Sequence, residues 1–203
     1  MLSHIFLFGH RKQHGKDTVG NILEQILTKN SICFYRSYFA KRLKQHCAEK
    51  YNLDFSKMES NEYKNWCPPW INSKPDGTKR TVRDILIEEG NRTREIWEDC
   101  WINYFYKEIF NSNTNIAFST DFRFPVEYKN ASKYFTKNAS PKIIKVLVHK
   151  TDGIIAQDGA DNCLPDNDGV FWDHVIINKP IKNWTTNLKT QLEKILKKEK
   201  IIC

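Results

Sequence analysis

The stretch HIFLFGHRKQHGKDTVGNILEQIL, His4 to Leu27, decides the fold of this chain. It opens on an apolar run, Ile5 to Phe8, of the length of a buried strand. It closes with Val19, Ile22, Leu23, Ile26 and Leu27 at helical spacing. Between them lie Gly9, Gly15, Lys16 and Thr18. Strand, glycine turn, lysine and helix in that order bring backbone N–H groups, a cation and a helix N-terminus to one point. That combination suits a phosphate.

Working outward, SICFYRSYF at 31–39 reads as a second strand, and AKRLKQHCAEKY as a helix with Leu43, Cys47 and Tyr51 on one face. Residues 52–80 are broken by the turn chemistry of CPPW and SKPDGT. The span 81–110 predicts two helices meeting near Gly90-Asn91, with Val82, Ile85, Leu86 and then Ile96, Trp97, Trp101 and Phe105 on their apolar faces. Further strands are expected at 115–120, 142–149 and 173–179, a helix from about Pro125, and a terminal amphipathic helix from Asn187. Strands alternating with helices argue an α/β fold with a mainly parallel sheet. Ligands then sit at the carboxyl ends of the strands, here Gly9 to Thr18, Asp121 to Arg123, and His149-Lys150.

The 203 residues suffice for a single domain, and the net charge of +8 favours a negative partner: nucleic acid, a membrane surface or a phosphorylated small molecule. No run of five like charges marks a basic tail. Six cysteines without a C-x-x-C pair argue against a zinc site, and no apolar run approaches a membrane span. A cytoplasmic location with reduced thiols is expected.

The loop has two unusual features. Gly9 and Gly15 are spaced G-x5-G-K rather than G-x4-G-K, with His10 where the first glycine would fall. Either the loop carries one extra residue, or His10 replaces the glycine. The insertion is favoured, with Gly9 taking positive φ after the strand and His10 bulging outward. Asp17 stands where Ser or Thr usually serves magnesium, and can do so through water.

HGKDTVG, FAKRLK, TVRDILIEEGN, DCWINYF, STDFRFPVEY and FWDHVIIN follow one another in order. In this the chain resembles the bacteriophage-type deoxynucleoside monophosphate kinases over nearly its whole length, most weakly at 52–80 and 128–141. Animal-type phosphomevalonate kinases share the G-K-D loop and rank second. Asp121-x-Arg123-Phe124-Pro125-x-Glu127 and the Val82-Arg83…Gly90 pattern fit the first family better. The resemblance implies one three-layer P-loop NTPase domain over 1–203, helices on both sheet faces, an acceptor-binding helical region at about 40–110 and a lid loop at about 150–170. It implies transfer of the γ-phosphoryl of ATP, with Mg2+, to a (deoxy)nucleoside 5′-monophosphate. Gly9, Lys12, Gly15, Lys16, Asp17 and Thr18 would bind ATP, and Asp17 and Asp121 would hold the metal. Lys44, Arg83, Gly90, Trp101, Asp121, Arg123 and Glu127 would bind the acceptor. Lys16, Arg123 and Asp121 would be the catalytic set. His149-Lys150 stands where relatives often place an arginine, and Asp161 or Asp166 could touch the acceptor sugar.

Some of these residues have structural readings as well. Arg123 could form a buried ion pair with Glu127, and Trp101 could be core. A monomer or homodimer without stable nucleic-acid or membrane binding is expected. Two other readings stand beside the kinase: a nucleotide-binding accessory protein for nucleic acid, and a structural protein with an inactive loop.

Overall fold

The computed structural model describes residues 2–9, 11, 13–129, 131–135, 140–152, 164–165 and 170–203. The chain divides into two compact units. One comprises Met1–Phe39 with Tyr106–Cys203, the other Ala40–Phe105.

The first unit is built on five parallel strands: β1 (His4–Gly9), β2 (Phe34–Arg36), β3 (Ile116–Phe122), β4 (Lys142–Lys150) and β5 (His174–Asn178), in the spatial order β2-β3-β1-β4-β5. Central parallel strands bury both faces and therefore carry nearly unbroken apolar runs, as β1 does. Phe6, Phe8, Phe118, Ile144, Val146 and Val148 pack on α1 (Lys16–Lys29) and α7 (Trp184–Lys198), which contribute Val19, Leu23, Leu27, Leu188, Leu192 and Leu196. Ile5, Leu7, Ala117 and Leu147, at alternate positions, are equally buried. Both sheet faces are covered, which is consistent with three layers. Gly9 pairs with Leu147 and, across a bulge, with Phe122, so the carboxyl ends of β1, β3 and β4 stand side by side.

The second strand is shorter than the 31–39 expected. Ser37 N–H still donates to the Phe118 carbonyl at 3.0 Å, but Phe39 N–H goes to the Asp121 carboxylate at 3.1 Å. A side chain has taken the place of the ladder partner, and the strand ends.

The second unit contains α2 (Lys41–Tyr51), a 3-10 turn (Phe55–Lys57), α3 (Asn61–Asn65), α4 (Val82–Ile96) and the start of α5 (Cys100–Phe110). Cys47, Leu53, Met58, Val82 and Ile85 form its core. The α4 helix opens with a capping box between Thr81 and Asp84. It then runs straight through Gly90-Asn91, where a junction was expected. A Cβ on Gly90 would stand 3.1 Å from Leu43 Cδ2, so this glycine sits at a close approach to α2. The chain leaves the helix at Trp97, whose φ is −148°. Ile96 and Trp97 are consequently exposed, contrary to the apolar face expected of them, while Trp101 and Phe105 are buried.

Inside this unit Glu89 is buried and accepts from Lys50 Nζ at 2.7 Å, Tyr51 OH at 2.6 Å and Arg92 Nη2 at 2.6 Å. Burial would raise its pKa, but these donors outweigh it and hold the carboxyl at about 2. Among the described residues, no helix is long and apolar enough to cross a membrane. The described cysteines are all free.

Candidate active site

The loop between β1 and α1 is held at both ends. Gly9 is the last residue of β1, and the only glycines with positive φ among the described residues are Gly15 and Gly77. The expectation for Gly9 is therefore corrected. What it supplies is space: a Cβ there would fall 2.6 Å from Trp172 Cη2 and 2.8 Å from Phe122 Cδ1. The left-handed positions of the loop are Gln13 (φ 63°) and Gly15 (φ 94°). His10 and Lys12 lie outside the described residues, as do Asp161, Asp166 and most of the expected lid.

Gly15 is the N-cap of α1 and has no side chain to offer the first turn; the first helical bond runs from Val19 N–H to its carbonyl at 3.0 Å. The helix end therefore presents backbone donors, those of Asp17 and Thr18 among them, together with its dipole. The C-terminal ends of β4 and β5 fix this geometry. Asn178 Nδ2 donates to the His14 carbonyl at 3.1 Å, and Lys150 N–H donates to His14 Nδ1 at 3.2 Å. A Cβ on Gly15 would lie 2.7 Å from Asn178 Nδ2, so glycine is required there on two counts. Lys16 is buried and its ammonium donates to the Arg11 carbonyl at 2.6 Å, closing the loop on itself.

Asp17 faces the end of β3. Its carboxylate accepts from Thr120 Oγ1 at 2.6 Å and from Arg36 Nη2 at 3.2 Å, although its side chain is 84% exposed. The helix comes this near because Gly20 lacks a side chain: a Cβ there would be 2.6 Å from Thr120 Cγ2. Arg36 also donates to Asn21 Oδ1 at 2.7 Å and lies over the Phe118 ring. Asp121 accepts from Ser119 Oγ and from Phe39 N–H, which binds it to the end of β2.

Glu127, in α6 (Pro125–Lys129), is buried and accepts from the backbone N–H groups of Arg123 at 2.8 Å and Phe124 at 3.0 Å. It thus fixes the turn that carries Arg123. Burial, followed by the neighbouring Asp121 carboxylate, pushes its carboxyl up to about 8 despite those donors. At the end of β4, Lys150 Nζ lies 3.4 Å from Asp152.

The end of β1, which leads into Gly15, Lys16, Asp17 and Thr18, thus lies beside the end of β3, which carries Asp121 and leads into Arg123 and Glu127. Lys44, Arg83, Gly90 and Trp101 belong to the helical unit. There Lys44 donates to Glu59 at 2.6 Å and Arg83 Nε to Asn65 Oδ1 at 3.3 Å. Trp101 is buried beside His46.

Among the described residues, no group of three or more His, Cys, Asp or Glu is placed to hold a metal ion. Asp17 and Asp121 are bonded to different partners. Of the two, Asp17 is the accessible carboxylate that could hold a cation. Sequence reasoning missed Arg36, Thr120, His14, Asn178 and Trp172. Thr120 and His14 had a signal, being adjacent to Asp121 in STDFRF and to Gly15 in HGKDT; the other three come from distant strands and loops. No family model matches this chain, and no curated protein matches it significantly.

Proposed function

We propose that the chain is a P-loop nucleoside monophosphate kinase that transfers the γ-phosphoryl of ATP to a (deoxy)nucleoside 5′-monophosphate. The observation that carries this reading is the loop before α1. Gly15 in the left-handed region, the donors of the helix end and the Lys16 ammonium share one turn at the sheet's carboxyl edge.

Phosphoryl transfer asks for positioning and neutralisation rather than covalent help. ATP with its magnesium supplies the phosphoryl group and part of that neutralisation. In the proposed mechanism Lys16 exchanges the Arg11 carbonyl for phosphate oxygens and follows their charge. Thr18 offers its hydroxyl and N–H. Asp17, oriented by Thr120, would hold the metal that accompanies ATP, with Asp121 as the second candidate. Arg123, presented by the turn that Glu127 fixes, neutralises charge on the phosphates. The resemblance assigns Lys44, Arg83, Gly90 and Trp101 to the acceptor.

A coupled assay with ATP, each common ribo- and deoxynucleoside monophosphate, and phosphomevalonate tests the reading. Diphosphate formed from a nucleotide supports it. Turnover of phosphomevalonate alone replaces it with the second family, and ATP hydrolysis that ignores every acceptor removes it.

A further inference from the structure

His14 stands between two residues in the left-handed region, Gln13 (φ 63°) and Gly15 (φ 94°). A residue other than glycine persists in that region where its surroundings hold it, so the loop needs anchors. Two of them end on His14, and they differ in kind. Its carbonyl accepts from the Asn178 amide at the end of β5, between groups that keep their protons at ordinary pH. Its ring Nδ1 accepts from Lys150 N–H at the end of β4, at 3.2 Å. A backbone N–H only donates, so Nδ1 must carry a lone pair and the ring's one proton sits on Nε2.

A second proton, taken up at Nδ1, would end that bond and set one donor against another. The ring is 2% exposed and meets the His149 ring edge to face, with centroids 5.7 Å apart. Besides His149, β4 brings Lys150, whose ammonium turns to Asp152 at 3.4 Å. The loop and α1 bring Arg11 and Lys16, joined through the Arg11 carbonyl, while β5 brings the neutral Asn178. Asp17 of α1 gives its carboxylate to Thr120 and Arg36. The two carboxylates of these segments are thus engaged with other groups, and the remaining charges are positive.

We infer that His14 is a positioning residue that keeps the loop in its phosphate-binding shape only while its imidazole is neutral, so that proton uptake frees the loop from β4 and weakens its hold on a polyphosphate. That the loop takes a phosphate rests on the kinase reading. The proton dependence of the anchor rests on the geometry alone. The Asn178 bond outlasts the proton, so the loop loosens on one side and the fold stays intact.

Isothermal titration of the full chain with ATP, from about pH 8 down to about pH 5.5, tests the inference against His14→Asn. Asparagine brings an acceptor oxygen near the place of Nδ1 and takes up no proton in that range. At pH 8 the two proteins should bind ATP within about threefold of each other, and at pH 5.5 the wild type should be weaker by about tenfold or more. Both proteins meet the same protonation of ATP and of Glu127, so the comparison cancels these. His149→Phe should keep the fall, since His14 makes the bond. NMR of the wild type reads the anchor without nucleotide or variant. At pH 8 the His14 ring should carry its proton on Nε2, and the Lys150 amide signal should move as that ring titrates. Parallel pH profiles in wild type and His14→Asn, a proton on Nδ1 at pH 8, or a fall that disappears in His149→Phe overturns the inference. ATP binding at no pH sinks the kinase reading instead, and the His14 ring and Lys150 amide signals still decide the anchor.

Discussion

Thr120 Oγ1 donates a hydrogen bond to the Asp17 carboxylate at 2.6 Å, joining the first turn of α1 to the end of β3. The Asp17 side chain is otherwise open to solvent, so this bond and the Arg36 contact give it a direction. The carboxylate is positioned without being buried, which leaves it open to a ligand.

Asp17→Ala should therefore separate activity from stability. An ion pair this exposed contributes about 0–1 kcal/mol, so the unfolding midpoint should barely move. Phosphoryl transfer should fall about tenfold or more, with a raised magnesium requirement. Wild-type turnover at limiting magnesium would remove Asp17 from the metal's surroundings.

Lys16→Ala should lose about a hundredfold or more in turnover, the effect of removing a preorganised donor from developing charge. The stability cost should be about 1.5–3 kcal/mol, that of a hydrogen bond from a charged donor to the Arg11 carbonyl. Steady-state kinetics with urea unfolding of the same preparation decides whether the two effects separate.

Arg83→Ala should raise KM for the monophosphate about ten- to a hundredfold, as expected for a lost charge-assisted contact, with little change for ATP. Its one described side-chain bond, to Asn65 Oδ1 at 3.3 Å, is too long and exposed for its loss to unfold the unit. An equal rise for both substrates would assign Arg83 to structure.

Gly9→Ala should destabilise the fold by about 1–3 kcal/mol through overpacking against Trp172 and Phe122. Combining it with Trp172→Leu should recover part of that loss. A neutral Gly9→Ala in chemical denaturation would contradict the close approach.

Glu127 makes stability depend on pH with a defined sign. Its carboxyl is raised from 4.5 to about 8 in the folded chain, so the folded state keeps a proton that the unfolded state releases. This contribution is full below about pH 4.5 and is lost as pH rises toward about 8. Glu127→Gln, which keeps an acceptor oxygen for Arg123 and Phe124 N–H, should flatten the fall in unfolding midpoint across that window. An unchanged slope would mean that another group titrates there.

Much of the fold was legible because its signals are local. The apolar run of β1, the glycines and lysine after it and the 3.6-residue stripe of α1 are each set within a few residues. The strands at 142–149 and 173–179 were equally plain, being apolar and bounded by turns. Gly90 misled for a related reason. Glycine weakens a helix in isolation, whereas here the approach of Leu43 makes it the residue that fits, and α4 continues.

By itself the sequence determined the α/β alternation, the parallel sheet and the place of the glycine loop between β1 and α1, since periodicity and turn chemistry depend on neighbours along the chain. Only the tertiary structure decided what fixes that loop. Trp172 fills the space above Gly9, Asn178 holds His14, and Arg36 and Thr120 orient Asp17. It likewise gave Glu127 the role of acceptor for the two backbone amides of Arg123 and Phe124. The Glu127 contacts span three and four residues, but the other partners lie on different strands and loops, and no local spacing encodes them. They meet because strand order and register bring the carboxyl ends of β1, β3, β4 and β5 to one edge, where buried polar groups must find one another.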